Sequence, residues 1–358
     1  MQRLCADRRL RLGLCLALAV TSAAAFGLRS TPAHGGTRDD TSWLQAALDQ
    51  GGKITLKKLS GGACYQTYGL WVSKSNTTID AKKGTCVTYL GPGPVRLTSD
   101  DGDPIPSNAI FFVNRSSAGT PPPDKVSISH LTLNVPNGTD GFGVLVAGSN
   151  VTLSNLTISG SPLDGVTVTG RANGRGYAGP VSIKSSTFNG ARRNGISVVG
   201  AIGVTIDSNV ITGAGNPKFL NRAPVAYTGP WAGIDIEPDV LTYPISNVTV
   251  SNNTISDNGG AGILLALATN SGLPLVADQL KLTQNTITRN GASNGPFLRG
   301  GICLQGGQAD GNGRLSVTSN KITKNGGWGL CRHPEGFNMK ISLSKNKIKD
   351  NTAGDSQW

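Results

Sequence analysis

The 358-residue sequence predicts an all-β chain folded as a parallel β-helix solenoid, on three observations. Composition is the first: 49 Gly, 19 Pro and 15% charged residues leave few helix-forming runs and many turns. A short alternating strand motif returns along the chain at a period of a few tens of residues. Asparagine, finally, falls at one position of that motif in five successive repeats.

Residues 1–25 read as a secretory signal, with a basic leader (MQRLCADRRLRLG), an apolar core (LCLALAVTSAAAF) and small residues around Ala23 to Ala25. No later segment reaches about 18 consecutive apolar residues, so no transmembrane segment is expected and the mature chain is expected to be secreted or to lie at the cell surface or in the periplasm. Removing the signal takes four arginines and Asp7 with it and lowers the net charge from +12 to +9, leaving one domain over 36–358. A basic exported protein meets polyanions, or simply keeps a solvated charged surface. Cys5 and Cys15 leave with the signal, and the even number that remains, Cys64, Cys86, Cys303 and Cys331, points to two disulfides and not to a metal site.

TRDDTSWLQAALDQGGKITL (37–56) holds one amphipathic helix within 37–52, with Asp40 or Thr41 as N-cap, Trp43, Leu44, Ala47 and Leu48 on one face and Gly51–Gly52 as its stop. A solenoid needs a cover over the open end of its core, and this helix is the expected N-terminal cap. Coils then run over roughly 53–350, with SSAGTPPPD (116–124) as a loop between early ones.

VTLSNLTI, VSIKSSTF, VTIDSNVI, VTVSNNTI, LKLTQNTI, LSVTSNKI and ISLSKNKI begin at Val151, Val181, Val204, Val248, Leu280, Leu315 and Ile341. Each motif reads as a strand, and most are followed by a second one of the form Gly, apolar, any residue, apolar; these second strands are GVLV (143–146), GVTV, GISV, GIDI, GILL, GICL and GLCR (329–332). No helical pattern intervenes, so the chain must wrap instead of crossing over. Asn209, Asn253, Asn285, Asn320 and Asn346 share a register; stacked about 4.8 Å apart, they form an internal ladder, the asparagine itself tolerating the left-handed turn. Cys303 and Cys331 occupy one outward position of adjacent second strands and are expected to bond, leaving Cys64 to pair with Cys86.

The opening DDTSWLQAALDQGGKITL, then NTTIDAKKGT and the coils, resembles the pectate-lyase-like superfamily of right-handed parallel β-helices over nearly the whole mature chain. The resemblance implies a right-handed solenoid. It leaves activity open, because the superfamily contains hydrolases, lyases, epimerases, tailspikes and non-catalytic adhesins. KKLSGG stands where a Pro-x-Gly would follow the first strand. GIDIEPD is similar to the Gly-Phe-Asp-Pro-His strand of alginate epimerases but lacks its histidine, and the polygalacturonase sets Asn-Thr-Asp, Asp-Asp and Gly-His-Gly are missing from the coils.

GPWAGIDIEPDV (229–240) carries Asp235, Glu237 and Asp239 on one strand face, at the foot of the longest insertion, 212–231. Equivalent outward positions hold Thr167, Ser197, Leu264 and Cys303 for Asp235, and Val199, Ala266, Gln305 and His333 for Glu237, so the coil itself does not require acids. Cα atoms two apart on a strand lie about 6.5 Å apart, and carboxylates about 6.5–9.5 Å apart suit an inverting glycosidase. On that reading Asp235 and Glu237 are the catalytic pair and Asp164 a third carboxylate. Arg192 and Arg193 bind a sugar carboxylate, and Trp231 or Tyr227 offers a stacking platform. No cofactor is required, and the partner is a polysaccharide, acidic or neutral, bound by a monomer without nucleic acid. In the rival lyase or epimerase chemistry Asp235, Glu237 and Asp239 hold Ca²⁺. The plain alternatives are a non-catalytic glycan-binding protein and surface salt bridges from the two acids to Arg192 and Arg193, each worth under about 1 kcal/mol.

Overall fold

The computed structural model describes residues 39–98, 104–136, 141–170, 177–220, 229–238, 243–267, 277–292, 298–305, 313–333 and 339–358. The expected signal lies outside them. The helix spans Thr41–Gln50, shorter than 37–52. Asp40 holds the N-cap position but spends its carboxylate elsewhere, accepting from the Gln66 N–H (3.0 Å) and the Trp43 indole (3.2 Å). Asp39 takes the Thr41 N–H instead, at 2.9 Å. Leu44 and Leu48 are buried and join the core cluster that contains Leu56 and Leu70.

Two large parallel sheets carry the rest, one of 19 strands and one of 10. The only antiparallel pair among the described residues is the hairpin of Val95–Thr98 with Pro104–Pro106. All seven motif starts fall in one column: Val151, Val181, Val204 and Val248 stack in turn, and Leu280, Leu315 and Ile341 continue the register. Each motif differs from expectation in being two short strands. VTLSNLTI, for example, is Val151–Ser154 and Thr157–Ser159, bent at Asn155 (φ 53°). With the Gly-led strand, each coil therefore has three strands and two faces contributing to the larger sheet.

The bend explains the asparagines. The left-handed residue is the one before the ladder position (Ser208, Asn252, Gln284, Ser319, Lys345, all with φ between 55° and 59°), and not the ladder asparagine itself. That turn aims the next side chain inward. Asn209, Asn253, Asn285, Asn320 and Asn346 then bond head to tail, each Nδ2 donating 3.0 Å to the Oδ1 of the next. A second ladder closes the other end of the same short strands: Asn258 to Asn290 (2.8 Å), Asn290 to Asn325 (3.0 Å) and Asn325 to Asn351 (2.9 Å). Both ladders also cap backbone N–H groups, as Asn285 Oδ1 does for Asn253 at 3.0 Å.

Between the ladders runs the apolar core. One column reads Val144, Val166, Ile196, Ile234, Ile263, Ile302, Leu330, each essentially without solvent exposure. Burial of each side chain is worth about 1.5–3 kcal/mol. The strands begin with glycine because the coils touch there: a Cβ on Gly233 would lie 2.5 Å from Ile255 Cγ2 and 2.7 Å from the Gly262 carbonyl. Both expected disulfides are present, Cys64–Cys86 and Cys303–Cys331, with Cα atoms 4.6 and 4.5 Å apart.

Asn285→Ala would leave the Asn253 N–H without its acceptor in the interior and remove the Nδ2 donor from Asn320 Oδ1 and the Val250 carbonyl. It is expected to cost about 2–4 kcal/mol in denaturant unfolding. Asn346→Ala, at the half-buried last rung, is expected to cost less.

Candidate functional site

Asp235 lies on the outer side of the ten-stranded sheet, in the column Trp71, Phe112, Leu145, Thr167, Ser197, Asp235, Leu264, Cys303, Cys331. The insertion 212–231 therefore leaves the register intact. The column is nonetheless not open to solvent. Trp71 stacks on Phe112 (centroids 4.5 Å apart) in a cluster with Leu97 and Leu145 at one end. Leu264 and the Cys303–Cys331 pair cluster with Ala232 and Ala261 at the other. Three polar rungs sit between these apolar caps: Thr167, Ser197 and Asp235, all below 5% exposed.

A hydrogen-bonded network links those rungs. Asp164 is fully buried and accepts from Arg193 Nε (2.7 Å) and Nη2 (2.5 Å), the Thr167 hydroxyl (2.7 Å) and the Asn194 N–H (3.1 Å). Asn194 holds the same place one coil later. Its Oδ1 accepts from the Ala232 N–H at 2.9 Å, which fixes the orientation of the amide, and its Nδ2 donates to Ser197 Oγ (3.1 Å) and Asp235 Oδ2 (3.0 Å). Asp235 Oδ2 therefore accepts, while Oδ1 is buried without a hydrogen-bond partner. Burial pushes the Asp235 carboxyl well above the ordinary carboxylate range, and the charges of Glu237 and Asp164 push the same way, against Arg193 and the Asn194 amide. Glu237, one residue past the strand, is exposed.

The expected residues thus separate into groups. Asp164, Arg193 and Asp235 come together with Glu237: Arg193 clasps Asp164, its charge acts on Asp235, and its guanidinium lies 5.9 Å from the Phe142 ring centre. Arg192 is half-buried, with its Nε buried and without a hydrogen-bond partner. Trp231 is 6% exposed and lies against Gly215, where a Cβ would collide with it, so it presents little open face for stacking. Tyr227 and Asp239 fall outside the described residues. Of the three residues expected to hold Ca²⁺ in the rival chemistry, Asp235 is buried and faces an amide donor, Glu237 is exposed, and Asp239 lies outside the described residues. Asn194 is the contributor that sequence reasoning did not single out. It precedes its strand's glycine as Asp164 does, and that shared position was the available signal.

Arg193→Met would leave the Asp164 carboxylate buried without its partner, and is expected to destabilise the fold by about 3 kcal/mol in denaturant unfolding. Asp235 titrates in the folded state above its ordinary 3.8, so the fold holds this proton more tightly than the unfolded chain does. Its contribution is complete below that value and is lost as pH rises to the folded pKa. Asp235→Asn keeps the acceptor for Asn194 without the charge. Its stability relative to the parent is expected to climb by up to about 1.4 kcal/mol per pH unit from about pH 4 upward. Urea unfolding of both proteins across pH checks this.

No curated protein sequence matches the chain. Solved structures do, at low identity. One is titled a 1,3-α-1,4-β-D-galactose-4-sulfate-3,6-anhydro-D-galactose-2-sulfate 4 galactohydrolase (12% identity, 90% of this chain, 86% of that one, TM-score 0.58). Another is the Streptococcus pneumoniae surface adhesin PfbA (15%, 90% and 88%, TM-score 0.51). A third is the Azotobacter vinelandii mannuronan C-5 epimerase AlgE4 A-module (16%, 89% and 94%, TM-score 0.49). The family described as "Right handed beta helix region" matches residues 142–353, the span that holds the stacked motifs and the Asp235 rung. By that match and by its coils, the chain belongs to the right-handed parallel β-helix superfamily.

Proposed function

We propose that the protein is an exported polysaccharide-active enzyme whose reaction is proton transfer at the Asp235–Glu237 rung. One observation carries this reading: two carboxyl groups one strand-step apart sit in opposite environments, Asp235 enclosed and proton-retaining, Glu237 exposed. Environments that push two carboxyl groups apart suit an acid and a base. Asp235 Oδ1 is enclosed, so on this reading glycan binding opens the column above it, and Asp235 Oδ1–H then protonates the glycosidic oxygen as the bond to the anomeric carbon breaks. The Glu237 carboxylate would take a proton from the water whose oxygen attacks that carbon. Asn194 would hold Asp235 Oδ2 in place, and the Arg193–Asp164 pair would brace the rung, a different task from the one sequence alone suggests for those two residues. The two disulfides suit an oxidising compartment, in keeping with export, and the N-terminal helix is read as the cover of the core. Neither a metal nor a partner chain is needed.

A second reading has its own support. The 3% exposure of Asp235 and the full engagement of Asp164 also describe a structural polar network under a non-catalytic glycan-binding surface. A panel of neutral and acidic glycans, incubated with and without EDTA, separates the two. Hydrolysis is expected as new reducing ends without unsaturated products and without EDTA sensitivity. Asp235→Asn and Glu237→Gln are each expected to lower kcat/KM by about 10²–10⁴-fold while glycan binding persists. EDTA-sensitive unsaturated products would indicate a lyase. Binding without products across the panel would end the enzymatic reading.

A further inference from the structure

A second surface, on the larger sheet and independent of the Asp235 rung, is marked by a local change in composition. One outward column runs Thr157, Thr187, Val210, Thr254, Thr286 and then switches to Lys321 and Lys347. Beside it Arg314 stands opposite Lys340, and Lys281 follows Thr249 in a column continued by Ser316 and Ser342. Lys281, Arg314, Lys321, Lys340 and Lys347 are all exposed. Among the described residues only Arg314 has an acidic neighbour, Asp278 at 3.5 Å.

Like charges directly opposed on adjacent strands repel, so the sheet is not stabilised by this arrangement. Protection of a free sheet edge accounts for lysines on the last coil, Lys340 and Lys347. It does not account for Lys281, Arg314 and Lys321, which lie on inner coils paired on both sides. The same block borders a shallow concavity of about 440 Å³ whose lining joins the outward Gln279, Lys281, Arg314, Ser316, Lys340 and Ser342 to the intervening Leu280, Leu315 and Ile341.

We propose that this face docks a linear acidic polysaccharide, whose carboxylate or sulfate groups pair with the cations while the serine hydroxyls and the Gln279 amide meet sugar hydroxyls. Repeating rungs suit a repeating polymer. The lining contains no aromatic ring on which nucleic-acid bases would stack. Its outward side chains are polar, whereas a membrane-surface site would add apolar groups to insert.

The test uses the full chain and polygalacturonate, with neutral dextran, oligodeoxythymidylate and phosphatidylserine vesicles as competitors. The variant Lys281→Thr/Lys321→Thr/Lys347→Thr continues into these rungs the threonines that stand earlier in each column, Thr249 and Thr286. It is expected to bind polygalacturonate about tenfold or more weakly at low salt, with a flatter salt dependence. Its thermal midpoint is expected to equal or exceed the parent's, because repulsion is removed. Undiminished polygalacturonate binding by the folded variant would overturn the proposal. So would absence of polygalacturonate binding in the parent, or its displacement by oligodeoxythymidylate or vesicles in preference to acidic glycan.

Discussion

Everything in this molecule depends on coils stacking without slippage. Neighbouring strands are about 4.8 Å apart, and at that spacing a buried asparagine amide is satisfied by the asparagine directly beside it and by backbone groups of the adjoining coils. A slip of one residue would turn an entire apolar column outward and leave both ladders unpaired. The 212–231 insertion shows how firmly this holds: Ser197 still opposes Asp235, and Asn209 still bonds Asn253 across 44 residues of chain. A long loop can be added at a bend because the rungs on either side do not notice it.

The same stacking places charge where it is costly. Two aspartates sit in the polar window of the ten-stranded sheet, and each resolves its burial differently. Asp164 is clasped by a guanidinium and two further donors. Asp235 has one amide donor for two oxygens and stands beside two other negative groups, so it favours the neutral form. Glu237, one step toward solvent, bears no such burden of enclosure. The contrast between adjacent carboxyl groups is thus a product of the scaffold, and the chemistry proposed for them uses it.

What repeats was legible in the sequence. The motif starts, the first asparagine ladder, the disulfide partners and the rung equivalents of Asp235 all follow from counting a period. What does not repeat was harder to read. The bend inside VTLSNLTI depends on a single left-handed residue of varied identity, so the motif looked like one strand. The second ladder, Asn258 to Asn351, was overlooked because those asparagines adjoin loops of unequal length. The apolar clusters at the two ends of the Asp235 column take in groups such as Leu97 and Leu298, which arrive from outside the repeat. The choice of Arg193 for Asp164 is likewise a matter of side-chain reach, which register alone does not decide.

The proton on Asp235 joins the scaffold to the proposed chemistry, and infrared difference spectroscopy of the parent against Asp235→Asn observes it directly. A protonated-carboxyl carbonyl band that is absent from the variant and persists well above pH 3.8 is the predicted result. Disappearance of that band at the pH of an ordinary aspartate would contradict the account, because the burial of Asp235 would then not hold its proton.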